Sequence, residues 1–228
     1  MNTAATPKEI KGVLFDLDGL LLDTEPLYEK AIAAVLAEYG HVYDQELRSH
    51  VIGRGEVEGA NLIINTKTLP LGPHEFLEKR EVHLKELFPT AEPMPGAKEL
   101  TAYFHKNNIP MAVATSSHRD AVTLKLQKHQ EWFKVFTYLI SGDNEQVKNG
   151  KPAPDIFLAA ARGINIDPAH CLVFEDSPSG AEAGANAGGI VVAVPDPIMP
   201  HDRYPRANLI IKTLNDFRPE AYGLPPSQ

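Results

Sequence analysis

Apolar and polar positions along this chain follow two different rhythms. Val13, Leu14 and Phe15 form a short apolar run that stops abruptly at Asp16, the pattern of a buried strand opening into a loop. From Thr24 the rhythm is helical. Leu27, Ala31, Ala34, Val35 and Leu36 make one stripe ending at Gly40, with Thr24 or Glu25 placed to cap it and Pro26 suited to its first turn. Further helical patterns begin at Asp44 and run over 57–64 and 73–88. No strand-like alternation occurs between Thr24 and Pro93, so 24–93 reads as a helical insertion, closed by the turn signal Met94-Pro95-Gly96.

Beyond Ala97 the order becomes regular. Helical patterns over 98–106, 120–129, 154–164 and 179–189 alternate with apolar strands over 110–115, 138–141, 171–175 and 190–194, and 208–211 adds an edge strand. Strands that are apolar throughout and separated by helices signal a parallel sheet covered on both faces. Gly180, Gly184 and Gly188, set among alanines, mark a helix packed close to that sheet. The expected organisation is a core of 1–23 and 94–228 with a cap of 24–93.

Several strands end in a chemically useful group: Asp16 and Asp18 after the first, Thr115 with Ser116 and Ser117, then Gly142 and Asp143 with Lys151 further along that loop, then Glu175 and Asp176. All strand ends of a parallel sheet point the same way, and ligands bind at that edge. Taken alone, Asp16 and Asp18 also fit a turn or a helix cap. A calcium loop fits poorly, because it needs glycine at its sixth position and this stretch has Gly19 at its fourth. Gathered on one rim, the acids would repel: two unit charges about 4 Å apart cost roughly 4 kcal/mol at an effective dielectric near 20. A divalent cation relieves that, and an all-oxygen donor set selects a hard ion, with Mg²⁺ fitting best. Acids, a hard cation, Lys151 and free N–H groups together describe a phosphoryl site. A carboxylate there can attack phosphorus, while a second carries the proton. Ser116 and its neighbours could contact phosphate through backbone N–H groups or cap the following helix. Arg54, between two glycines in the helical insertion, could reach the far end of a substrate or remain a solvated turn charge.

Charge and cysteine content narrow the class further. The 228 residues carry a formal net charge of −8, so no nucleic-acid partner is expected. Cys171 is the single cysteine, which excludes an internal disulfide and points to a reducing cytoplasm. The opening MNTAATPKEI lacks the form of a signal peptide, and no apolar run reaches membrane-spanning length.

DLDGLLLDT, the strand ending in Thr115, GKPAPDIF and VFEDSPSG resemble, in order and spacing, the four signatures of the haloacid dehalogenase superfamily. The resemblance implies an α/β fold, a Rossmann-like parallel sheet core with an inserted all-helical cap. It implies Asp16 as nucleophile and Asp18 as general acid/base, with Thr115 and Lys151 binding the transferring phosphoryl. Mg²⁺ would be held by Asp16, the backbone carbonyl of Asp18 and Asp176, with Glu175 supporting or joining them. The second acid argues for phosphate chemistry over dehalogenation. Beta-phosphoglucomutase members place a histidine where this chain has Tyr28, which argues against a mutase. LFPTAEPMPGA, ATSSHR and the tail DFRPEAYGLP are similar to the pseudouridine-5′-phosphatase and plant glycerol-3-phosphatase group. The expected activity is hydrolysis of a small phosphate ester by a monomer, pseudouridine 5′-phosphate or another nucleoside monophosphate first. A glycerol- or sugar-phosphate phosphatase stands second, ahead of a mutase or a non-catalytic binding protein.

Overall fold

A computed structural model describes residues 9–226; residues 1–8, most of the stretch read above for a signal peptide, lie outside the described residues. Strand β1 (Gly12–Phe15) leaves the sheet through a turn in which Gly19 takes φ 75°, a conformation open to glycine at no steric cost. The chain continues through β2 (Leu22–Asp23), which pairs antiparallel with β3 (Glu92–Pro93). Strands β4 (Met111–Ala114), β5 (Tyr138–Ile140), β6 (Cys171–Glu175), β7 (Ile190–Ala193) and β8 (Leu209–Ile210) join β1 in a parallel six-stranded sheet ordered β5-β4-β1-β6-β7-β8. The β2–β3 ribbon escaped the sequence pattern because two residues a strand are too few to show alternation.

Four helices lie between β2 and β3: α1 (Glu25–Glu38), α2 (Gln45–Val51), α3 (Glu56–Lys67) and α4 (Pro73–Leu87). They bury their own cluster, including Ile32, Val35, Leu36, Ile63 and Phe76. Asp44 caps α2 by accepting from Leu47 N at 2.8 Å, a contact of about 1 kcal/mol. Thr24 precedes α1 but makes no side-chain cap; its hydroxyl donates to Asp18 instead.

After the insertion come α5 (Ala97–Lys106), α6 (Arg119–Lys125), α7 (Gln130–Phe133), α8 (Asp155–Gly163) and α9 (Pro178–Asn186). One sheet face packs Val13, Phe15, Val113, Leu172 and Phe174 against Leu100, Phe104 and Val122; the other packs Leu14, Ala112 and Val173 against Phe157, Ala160 and Ala183. Phe15 and Phe174, cross-strand partners, stack with ring centres 5.0 Å apart. The single helix expected over 120–129 is instead α6, a turn and α7. Beyond the break, His129 Nε2 meets the Ala91 carbonyl at 2.8 Å, and Trp132 Nε1 donates to Thr101 Oγ1 at 2.9 Å. Gly180 and Gly184 do pack tightly beneath neighbouring side chains, but Gly188 faces open space and takes φ 90° past the end of α9.

Candidate active site

β1, β4 and β6 end side by side, and their last residues converge. Asp16 follows β1, Glu175 ends β6 and Asp176 follows it; one carboxylate oxygen from each lies within 4.8 Å of the others. Lys151, delivered by the loop before α8, bridges two of them. Its Nζ donates to Asp16 Oδ1, to Glu175 Oε1 at 2.6 Å and to the Ala114 carbonyl at 3.3 Å. Burial works against the Lys151 charge, but Asp16 and Glu175 hold its ammonium protonated well above the usual lysine range.

Glu175 is wholly buried. Its other oxygen, Oε2, accepts from Ser177 N at 2.9 Å and Ser177 Oγ at 3.0 Å, and Ser177 Oγ in turn accepts from Gly180 N to cap α9. Glu175 therefore orients the lysine and the β6–α9 loop. Tyr204 donates its hydroxyl to the Asp176 backbone carbonyl, fixing the same loop from the other side.

Asp18 is held differently. Oδ1 accepts from Thr24 Oγ1 at 2.9 Å and Lys125 Nζ at 2.5 Å; Oδ2 accepts from Ser117 Oγ at 2.8 Å and Thr115 Oγ1 at 3.3 Å. Burial raises its carboxyl, yet the Lys125 charge and these hydrogen bonds outweigh burial and hold it below the usual range. Asp16 has the opposite balance. Burial outweighs Lys151, with Glu175 and Asp18 adding to the rise, and its carboxyl is pushed up to about 7. Asp176 is pushed well above the carboxylate range by burial, then by Glu175 and Asp16. Two neighbouring carboxylates that resist ionisation mark a place suited to a positive ion. Oxygen-only donors make that a hard divalent cation, and Mg²⁺ fits. Asp16, Glu175 and Asp176 each bring a carboxylate oxygen that could hold it, with the Asp18 backbone carbonyl as a further expected ligand.

A cavity of about 990 Å³ opens between this rim and the helical insertion. Asp16, Asp18, Lys151, Asp176 and Ser116 line its floor; Tyr28, Phe88, Arg54 and Arg80 line the opposite side. Ser116 is exposed there. Arg54 reaches the wall but is tied within its own segment, to the His50 carbonyl and Glu58. Thr115 is fully buried and turns its hydroxyl to Asp18. The sequence reading missed Lys125, Thr24, Tyr204 and Arg80. Lys125 left one signal: it falls on the same buried face of α6 as Val122.

The sequence model of the haloacid dehalogenase-like hydrolase family matches residues 10–188, and the chain belongs to that family. It is 44% identical to (DL)-glycerol-3-phosphatase 2 of Arabidopsis thaliana, over 95% of this chain and 92% of that one. It is 40% identical to a probable pseudouridine-5′-phosphatase of Drosophila melanogaster, over 96% of each. A crystal structure of a HAD family hydrolase from Deinococcus radiodurans, with bound phosphate and sodium, superposes with a TM-score of 0.79 at 26% identity, covering 96% of this chain and 99% of that one. Within the family the chain is a phosphatase.

Proposed function

We propose that the protein is a Mg²⁺-dependent phosphomonoesterase working through an aspartyl-phosphate on Asp16. The observation that carries this reading is the Lys151 bridge between Asp16 and Glu175 beside Asp176. When bound, Mg²⁺ would neutralise the Asp16–Asp176 pair and the phosphoryl oxygens. Lys151 holds Asp16 in line for attack and presents its charge to the transferring group. Asp16 Oδ bonds to phosphorus as the ester P–O bond breaks, and Asp18, ionised at rest, takes up a proton from solvent on substrate binding and passes it to the departing oxygen. Water then attacks the acyl phosphate, Asp18 takes its proton, and the bond from phosphorus to Asp16 breaks, releasing phosphate and free Asp16.

The helices of 24–93 act as a cap over the core formed by 1–23 and 94–228, excluding bulk water during transfer. We take a monomer as the working form, since the proposed steps call on no residue of a second copy. Among the described residues no helix is long and apolar enough to cross a membrane; the buried, single Cys171 supports work in the reducing cytoplasm.

For the substrate we favour a nucleoside monophosphate such as pseudouridine 5′-phosphate. A cavity near 990 Å³ offers room that glycerol does not need. The resemblance to a glycerol-3-phosphatase supports the second reading. Phosphate release from pseudouridine 5′-phosphate, glycerol 3-phosphate and hexose phosphates, with and without Mg²⁺, separates them by kcat/KM. Asp16→Asn is expected to abolish release from all of them; retained turnover overturns the nucleophile.

A further inference from the structure

We propose that Lys125 is a positioning residue for Asp18, fixing the carboxylate in the orientation from which it exchanges protons with the ester and with water. Lys125 is wholly buried and takes no part in the cavity wall. It cannot touch substrate and acts only through its neighbours. Besides Asp18 Oδ1 at 2.5 Å, its ammonium donates to Ser117 Oγ at 2.7 Å and lies 3.4 Å from the Tyr28 hydroxyl. It also sits 4.3 Å from the centre of the Phe88 ring. An ammonium so far from water is kept there by its carboxylate.

Among the described residues Asp18 receives four donors, of which three are neutral hydroxyls: Thr24, Thr115 and Ser117. Only Lys125 brings a charge, and charge-assisted bonds are the stronger ones. Lys125 also holds Ser117, so removing it loosens both oxygens of Asp18. Tyr28 and Phe88, which enclose the ammonium, come from the helical insertion and its end. The orientation of Asp18 is thereby tied to the placement of that insertion.

This inference rests on Asp18 being the proton carrier. An aryl phosphate with an acidic phenol departs without a proton, whereas an alkyl phosphate needs one. Hydrolysis of the aspartyl-phosphate needs a base whichever ester formed it. A misplaced Asp18 therefore slows the second step for every ester, but the first step for alkyl esters alone.

The test is Lys125→Met in the full chain with saturating Mg²⁺, using p-nitrophenyl phosphate and glycerol 3-phosphate. With the aryl ester, kcat is expected to fall about 100-fold, the usual order for lost acid–base catalysis. KM should fall with it, so that kcat/KM stays within about threefold, and the first turnover should release one nitrophenol per enzyme as a burst. With the alkyl ester, kcat/KM should itself fall about 100-fold. An unchanged kcat overturns the proposal. So does an aryl kcat/KM that falls as far as kcat with a burst below one equivalent, the mark of a lesion that is only structural. Asp18→Asn is measured alongside. If it lacks the split, the reading of Asp18 fails; if it shows the split and Lys125→Met does not, the Lys125 proposal alone fails. Should Lys125→Met not fold, the double variant with Asp18→Asn removes both buried charges. Kinetics equal to those of Asp18→Asn support the proposal, and any further loss of kcat overturns it.

Discussion

Arg48 and Asp196 are 148 positions apart in the chain, yet Arg48 NH2 donates to Asp196 Oδ2 at 3.1 Å. Arg48 lies on α2 in the helical insertion and also pairs with Glu29 of α1; Asp196 lies in the loop after β7. The bond joins the insertion to the rim side of the sheet, with both side chains about three-quarters buried. Asp196→Asn weakens this tie and leaves the Glu29 pair in place. The expected stability loss is about 1 kcal/mol or less, since partly exposed pairs are screened. KM should rise more than kcat changes, because the contact holds the cavity together and touches no reacting atom. Steady-state kinetics beside a thermal melt checks both.

Gly180 has no room for a side chain. A Cβ built there would stand 1.8 Å from Glu175 Oε1 and 1.9 Å from its carboxyl carbon. Glu175 cannot swing aside without releasing Lys151 and Ser177. Gly180→Ala is expected to cost about 1–3 kcal/mol, the usual range for overpacking, and to remove most phosphatase activity. Gly184→Ala meets Val173 and Val191 instead, so it should lower the melting temperature with a far smaller loss of kcat. The contrast between the two separates damage to the site from damage to the core.

Glu25 titrates against its surroundings. Burial is the main cause, followed by Asp18 and Asp196, and together they push its carboxyl up to about 7 from 4.5. The folded protein thus binds a proton more tightly than the unfolded chain, and this group makes stability fall as pH rises from about 4.5 through about 7. In metal-free protein, Glu25→Gln should melt higher than the parent at pH 8, and the advantage should vanish near pH 4.5. A difference that grows on acidification contradicts the assignment.

Metal removal gives a fourth expectation. Chelation should stop phosphate release, and added Mg²⁺ should restore it. Binding to the folded form alone should raise the melting temperature, by about 2.7 kcal/mol of stability at a concentration 100 times Kd. Asp176→Asn should blunt that rise.

The sheet was legible because each strand is an apolar run that stops at a polar residue, as at Phe15–Asp16 and Ala114–Thr115. The rim followed from those endings, and the structure brings Asp16, Glu175, Asp176 and Lys151 together there. Lys125 was illegible because a lone lysine in a helix ordinarily reads as solvated; its carboxylate partner, Asp18, lies 107 positions away. The break between α6 and α7 was hidden too; beyond it, His129 at the start of α7 meets a distant acceptor, the Ala91 carbonyl. Local pattern reports where an element buries a face, while a contact across the fold leaves no periodic trace.

The ribbon of Leu22–Asp23 against Glu92–Pro93 has an evolutionary consequence. Everything between those points departs and returns at adjacent backbone positions, so a foreign bundle spliced there would leave Asp16, Lys151, Glu175 and Asp176 in place and need only supply again the contacts that Thr24, Tyr28 and Phe88 make around Asp18 and Lys125. The apparatus that cuts the ester and the surface that greets the rest of the molecule can therefore be inherited on separate schedules, one kept nearly constant while the other is exchanged wholesale.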